Sequence, residues 1–398
     1  MLTQDRWLLP EGIEEVFPRE SARIESLRRK VLDLFAAWGY RMVIPPLVEF
    51  LDSLLVGTGH DLDLRTFKLI DQISGRMMGI RADMTPQVAR IDARTASGNS
   101  PARLCYLGTV VHTQSDHLEK SRAPMQVGAE LYGHAGHASD SEIIQLLLEM
   151  LAVAGITDVH LDLGHVGIYR GLALRAGLNP DQEAELFEIL QRKDRTELVV
   201  FLEGSGVRAP ASERLLALLD LNGPYRTLAA ARECLGAAGE FVHEALADLD
   251  AIAVHLQRLF PALPVNFDLA ELRGYHYQTG VVFAAFVPGY GREIARGGRY
   301  DDIGKVFGRA RPATGFSADL KVLARLAETD DDNGSLPAIF APADDDPDLH
   351  ELIRNLRGDG RTVVRELPGQ AEGAPEMGCG FELRKSGREW RLIRVEPR

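Results

Sequence analysis

Residues 103–133, RLCYLGTVVHTQSDHLEKSRAPMQVGAELYG, decide how this chain is read. Two apolar arms, 104–111 and 123–131, flank a polar segment, 113–122, that is short enough to reverse the chain, which is the pattern of a long β-hairpin. In the second arm Gln126, Gly128 and Glu130 recur with period two, so Gln126 and Glu130 share one face while Val127, Ala129 and Leu131 line the other. A carboxylate and an amide side by side on a sheet face suit a ligand with ammonium or imidazole donors. The plain alternative is a solvated polar face of an antiparallel sheet.

Upstream of the hairpin, residues 20–38 place Ile24, Leu27, Val31, Leu34, Phe35 and Trp38 at i, i+3, i+7, i+10, i+11 and i+14, which predicts an amphipathic helix. Gly39 ends it, and a strand over 40–44 stops at Pro45 and Pro46. Residues 66–70 and 76–80 alternate around Ser74 and Gly75 as a second hairpin. It leads into Arg81, Asp83 and Thr85, where Asp83 or Thr85 can cap a helix opening at Pro86.

Downstream, Ser139 or Asp140 with Glu142 opens an apolar helix over 143–154, closed by Gly155, and a strand follows over 159–163. From about 167 to 260 the pattern is helical throughout and reads as an inserted helical subdomain. Strands return over 265–272, 275–286 and 293–295. Gly297 and Gly298, with Arg299, Tyr300 and Asp301, read as a glycine turn, and 312–316 leads into a helix carrying Leu320, Leu323 and Leu326. Residues 329–334 (TDDDNG) form an acidic linker to a tail with weak strands over 338–340, 361–364 and 391–395.

At 398 residues the chain is expected to hold two or three domains. No apolar run reaches the roughly 20 residues that cross a bilayer, and no secretory signal is visible. A formal charge of −13 does not advertise nucleic-acid binding. The three widely spaced cysteines form neither a disulfide framework nor a zinc motif, so a reducing cytoplasm is expected. His134 with His137, and His112 with Asp116 and His117, lack the companions of a metal site and read as loop histidines. Neither a dinucleotide fingerprint nor a GxxxxGK[ST] loop occurs.

Together these segments resemble the catalytic core of class II aminoacyl-tRNA synthetases, and histidyl-tRNA synthetase in particular, over about 9–326. Residues 20–46 are similar to the first class II motif, which builds a dimer; 103–133 to the second; 312–326 to the third; and 272–277 with 297–301 to two histidine signatures. The resemblance implies an α+β fold, a class II synthetase-like antiparallel sheet flanked by helices, with an inserted helical subdomain and a short C-terminal α/β segment. It implies a main domain over 1–328, with its helical insertion at about 167–260, and a small segment over 335–398 in place of a full anticodon-binding domain.

The chain departs from the synthetase on the ATP side. Where the second motif carries Phe-Arg-x-Glu, whose arginine holds the α-phosphate and whose glutamate reads adenine, this chain has Val111, His112, Thr113 and Gln114. The third motif's arginine, which grips the γ-phosphate, falls on Val322, with Lys321 beside it. A neutral imidazole offers one donor in place of a charged fork, and valine offers none. Such losses cost on the order of several kcal/mol of transition-state stabilisation at a reacting phosphate.

The amino-acid side is kept. Asp83, Thr85, Gln126 and Glu130 fall where the synthetase holds the ammonium and imidazole of histidine, and Arg273, Tyr277 and Tyr300 lie on the signatures that close over it. Asp83 replaces a glutamate and Gln278 a second tyrosine. A histidyl-synthetase-like body with a dead ATP site resembles the family of ATP phosphoribosyltransferase regulatory subunits. Residues 80–90 (IRADMTPQVAR), 162–165 (DLGH) and 273–277 (RGYHY) look typical of that family.

The resemblance implies a non-catalytic chain partnered with the short-form catalytic subunit of ATP phosphoribosyltransferase, in the first step of histidine biosynthesis, with L-histidine as feedback effector. It further implies self-association as a dimer within a hetero-oligomer, expected as a hetero-octamer, with no cofactor, metal, tRNA or membrane. The competing readings are a divergent ligase that activates histidine with ATP and a free-standing histidine-binding module.

Overall fold

The computed structural model describes residues 8–56, 60–96, 98, 100–115, 121–271, 278–327 and 336–395. It forms two compact units, Met1–Ala327 and Glu328–Arg398. The first begins with α1 (Pro18–Ala37), β1 (Arg41–Met42), β2 (Val48–Phe50), α2 (Leu51–Leu54), α3 (His60–Arg65), β3 (Phe67–Ile70), β4 (Met77–Ile80) and α4 (Thr85–Thr95). The hairpin strands β5 (Ala102–Thr109) and β6 (Met125–Tyr132) follow, then α5 (His137–Val153) and β7 (His160–His165). A helical run comes next: α6 (Val166–Ala176), α7 (Pro180–Arg192), α8 (Arg195–Gly204), α9 (Ala211–Ala217), the short β8 (Asn222–Gly223), α10 (Arg226–Leu235) and α11 (Glu240–Leu259). The unit closes with β9 (Val265–Asp268), β10 (Val281–Phe286), β11 (Ala295–Arg299), β12 (Ala313–Asp319) and α12 (Leu320–Leu326).

Nine strands form one sheet in the order β1-β5-β6-β12-β11-β10-β7-β9-β8, and β2-β4-β3 form a smaller one. The centre, from β5 to β10, is antiparallel throughout. Helix α1 opens with proline in its first turn, buries Ile24, Leu27, Val31 and Phe35 along one stripe, and stops before Gly39 at φ 80°. Phe35 meets Phe316 of β12 edge-on, with ring centroids 6.1 Å apart, so α1 and α5 share one face of the sheet with Val127, Ala129 and Leu131. The strand expected over 40–44 is only β1, two residues that pair in parallel with β5 before the prolines end it.

Two expectations need correction. Helix α5 starts at His137, so Ser139 and Asp140 lie buried inside its first turn rather than capping it. Residues 297–299 are not a turn but part of β11. A Cβ at Gly297 would sit 2.2 Å from the Gly315 carbonyl and 2.4 Å from the Phe283 ring, so glycine is there for close strand packing. The helical run inserted between β7 and β9 packs onto the sheet, with Tyr169, Leu190 and Leu249 in the same hydrophobic cluster as Leu161 and Phe283.

The second unit consists of β13 (Ile339–Ala341), α13 (Pro347–Gly358), β14 (Val363–Arg365), β15 (Phe381–Ser386) and β16 (Glu389–Arg394), in sheet order β14-β13-β15-β16. Its small core joins Ile339, Ala341, Leu349, Ile353, Val363 and Leu383. The linker expected over 329–334 lies outside the described residues. No described helix is long and apolar enough to cross a membrane.

Candidate functional site

Residues directly opposed in an antiparallel register point to the same side of a sheet. Glu130 of β6 stands opposite Leu104 of β5 and Gly315 of β12, and Gly315 stands opposite Gly298 of β11. Tyr106 opposes Gly128, and Gly108 opposes Gln126. One side of the sheet therefore presents Gln126, Glu130 and Tyr106 over a floor containing Gly108, Gly128, Gly298 and Gly315. The other side is the apolar core.

That polar side is not solvated: Glu130 is 1% exposed and Tyr106 and Tyr300 are buried. The segment leading into α4 and the residue after β11 close over it. Glu130 Oε1 accepts the Tyr106 hydroxyl at 2.9 Å and the Thr85 hydroxyl at 3.2 Å, while Oε2 accepts the Tyr300 hydroxyl. Gln126 Nε2 donates to Asp83 Oδ1 at 2.7 Å, and that oxygen also accepts the Thr85 N–H at 3.1 Å. Asp83 is thus the residue that meets the N-terminus of α4, where a carboxylate is favoured. Gln126 Oε1 accepts the Met84 N–H at 2.9 Å, so Asp83, Thr85, Gln126, Glu130, Tyr106 and Tyr300 form one connected network.

Burial pushes the Glu130 carboxyl up to about 8 against the pull of its hydroxyl donors, and the neighbouring Asp83 carboxylate adds to the rise. Burial and the Glu130 carboxylate hold the Tyr106 and Tyr300 phenols well above their ordinary value. A carboxyl raised that far is largely uncharged at neutral pH, and a cationic donor beside it favours the carboxylate again. The described side chains offer acceptors suited to an ammonium or an imidazole.

Four of the seven residues singled out from sequence for this pocket, Asp83, Thr85, Gln126 and Glu130, come together with a fifth, Tyr300. Arg273 and Tyr277 lie outside the described residues. Tyr106 was missed, although its place opposite Gly128 in the hairpin could have found it: a Cβ at Gly128 would lie 2.5 Å from the Tyr106 hydroxyl. Behind the site, the buried Arg299 reaches Asp140 at 3.0 Å, the Ser139 hydroxyl at 2.7 Å and the Gly136 carbonyl at 3.0 Å, tying β11 to the start of α5.

Among the positions aligned with the synthetase's ATP grip, His112 and Lys321 are engaged elsewhere. The His112 Nε2 faces the Ala82 carbonyl at 2.9 Å, which makes Nε2 the donor and leaves Nδ1 to accept from Arg65 at 3.1 Å. Gln114 is exposed. Val322 is buried on α12, and the Lys321 ammonium lies 3.6 Å from Glu14.

The histidyl-tRNA synthetase family matches residues 12–323, and the ATP phosphoribosyltransferase subunit HisZ C-terminal domain matches residues 336–393. A protein of Methylococcus capsulatus named ATP phosphoribosyltransferase regulatory subunit is 64% identical over 387 residues, 97% of this chain and 95% of that one. One of the same name from Pseudomonas syringae pv. tomato is 55% identical over 396 residues, 99% of each. Among solved structures, an ATP phosphoribosyltransferase regulatory subunit/histidyl-tRNA synthetase from Bacillus halodurans superposes with a TM-score of 0.81 at 26% identity, covering 92% of this chain and 94% of that one. Histidyl-tRNA synthetase from Nostoc sp. PCC 7120 shares the fold, with a TM-score of 0.75 at 18% identity over 95% of this chain and 91% of its own. With a class II synthetase-like fold and relatives of this identity along nearly its whole length, the chain belongs to the family of ATP phosphoribosyltransferase regulatory subunits.

Proposed function

We propose that this chain is the non-catalytic regulatory partner of a separate, short-form ATP phosphoribosyltransferase catalytic chain, working in the first step of histidine biosynthesis. Histidine binds in the Glu130 pocket and feeds back on the partner. Asp83, Thr85, Gln126, Glu130 and Tyr300 hold it, with Arg273 and Tyr277 contributing from the neighbouring signature. The observation that carries this reading is the contrast within one hairpin: β6 carries a buried, connected acceptor network, while the segment after β5 gives His112 to Ala82 and Arg65. Histidine shifts the complex between more and less active states by binding one more tightly than the other.

Dimerisation through residues 20–46, a hetero-octameric assembly without tRNA and a cytoplasmic location complete the reading. The mixed assay tests it. Adding this chain to the catalytic subunit raises phosphoribosyl transfer and confers inhibition by histidine; a partner equally active and equally inhibited alone overturns it. The rival, a histidine-activating ligase, requires histidine-dependent exchange of pyrophosphate into ATP, which His112, Gln114 and Val322 disfavour.

A further inference from the structure

Past the ends of β5 and β6 the hairpin goes on pairing, with the Val110 N–H 3.1 Å from the Pro124 carbonyl and the His112 N–H 2.8 Å from the Arg122 carbonyl. His112 and Arg122 therefore stand opposite each other and share a face. The Arg122 guanidinium folds back over this pair: Nε donates to the His112 carbonyl at 3.0 Å and Nη1 to the Glu11 carbonyl at 3.1 Å, and the group lies 5.0 Å from the Phe67 ring centroid. From the last turn of α3, Arg65 Nη2 donates to His112 Nδ1 at 3.1 Å. Two guanidinium groups thus meet over one histidine, and all three residues are half-buried.

Neither Arg65 nor Arg122 forms an ion pair among the described residues. A third guanidinium, that of Arg81, is buried at the same strand end and donates to the Thr109 and Pro45 carbonyls rather than to a carboxylate. In a chain with 58 acidic residues against 45 basic ones, this spot runs against the average charge. Like charges held this close repel, and a bound counter-ion offsets that repulsion. Most N–H groups of Arg65 and Arg122 are still to be taken, and a guanidinium fork fits the oxygens of a phosphate bidentately.

We propose that Arg65 and Arg122, with His112 as the strut between them, bind a small phosphate-type anion, inorganic phosphate or diphosphate, without a nucleoside attached. The charge that position 112 lacks is supplied by Arg65, which lies outside the aligned motifs. The rest of a nucleotide grip is missing, since Gln114 is exposed and Val322 is buried and apolar. The site goes beyond the histidine reading, and its failure would leave that reading standing.

Calorimetric titration of the full chain at low salt with phosphate, pyrophosphate and ATP tests this, on the wild type and on Arg65→Gln, Arg122→Gln and Arg195→Gln. The last removes an exposed guanidinium of α8 that is already paired with Asp220, and serves as the control. The wild type is expected to bind pyrophosphate more tightly than phosphate and at least as tightly as ATP, with affinity falling as salt rises. R65Q and R122Q are each expected to lose about tenfold or more, and R195Q nothing. A wild type that binds neither inorganic anion, site variants that bind like the parent, or an equal loss in R195Q overturns the proposal. ATP binding tenfold or more tighter than pyrophosphate overturns it in favour of a nucleotide site. Should both site variants fail to fold, labelling of the wild type with phenylglyoxal, read by mass spectrometry, decides: protection of Arg65 and Arg122 but not Arg195 by pyrophosphate supports the site, and labelling unchanged by pyrophosphate overturns it.

Discussion

Gln126 and Asp83 are joined at 2.7 Å across 43 residues of chain, and the same amide turns its oxygen to the Met84 N–H. One side chain on β6 thereby holds the start of α4 against the sheet. Gln126→Ala takes one of two donors from the Asp83 carboxylate oxygen and leaves the Met84 N–H without its acceptor, which costs about 1–3 kcal/mol. Urea unfolding is expected to show that loss, and histidine affinity is expected to fall with it; a variant as stable as the parent would contradict the network.

Glu130 makes stability depend on pH in a defined direction. Its carboxyl sits at about 8 in the folded chain against 4.5 for the free group, so between those values the folded state binds more protons than the unfolded one. Stability contributed by this group is fully present below about pH 4.5, falls as pH rises toward 8 and levels off above it. Glu130→Gln removes the titration, so its stability should fall less between pH 5 and pH 8 than the parent's in paired urea titrations. Identical pH slopes would show that the group does not titrate as described.

Gly315→Ala places a methyl where Oε2 of Glu130 now lies. Overpacking of this kind costs about 1–3 kcal/mol, and the displaced carboxylate should lose histidine by tenfold or more while the circular dichroism stays native. Gly204→Ala, at the end of α8 with open space around its Cβ position, is the matched control and should leave binding unchanged.

Arg299 and Asp140 are 8% and 3% exposed at their side chains. Arg299→Met strands a buried carboxylate and is expected to cost about 3–5 kcal/mol, whereas the double change Arg299→Met with Asp140→Leu should regain much of that. Thermal or urea unfolding of the three variants checks it; a double variant no better than the single one would remove the pair from the account.

The hairpin, α1 and the shared face of Gln126 and Glu130 were legible because period two and period 3.6 say which side chains share a face, whereas Asp83, Thr85 and Tyr300 came from the resemblance to histidyl-tRNA synthetase. What covers a face is not written in that periodicity. Glu130 looked solvated because its lids, Thr85 and Tyr300, are 45 and 170 residues away, and only the folded sheet brings them over it. Gly297 and Gly298 looked like a turn for a related reason. Glycine signals turns and close strand approach alike, and the Phe283 ring that decides between them comes from another strand. Helix α13 went unread because its apolar stripe is short, with Leu349 and Ile353 its two buried residues.

Gly108, Gly128, Gly298 and Gly315 give the pocket its shape by what they lack: a Cβ on each would run into Arg81, Tyr106, Gln278 or Glu130 respectively. Glycine and alanine codons differ by one base, so four single-nucleotide changes, none of them in a residue of the polar network, can each evict one polar group. Inheritance of this pocket therefore depends on purging added carbon from its floor, and a lineage can lose its polar network in one step and regain it by one reversion.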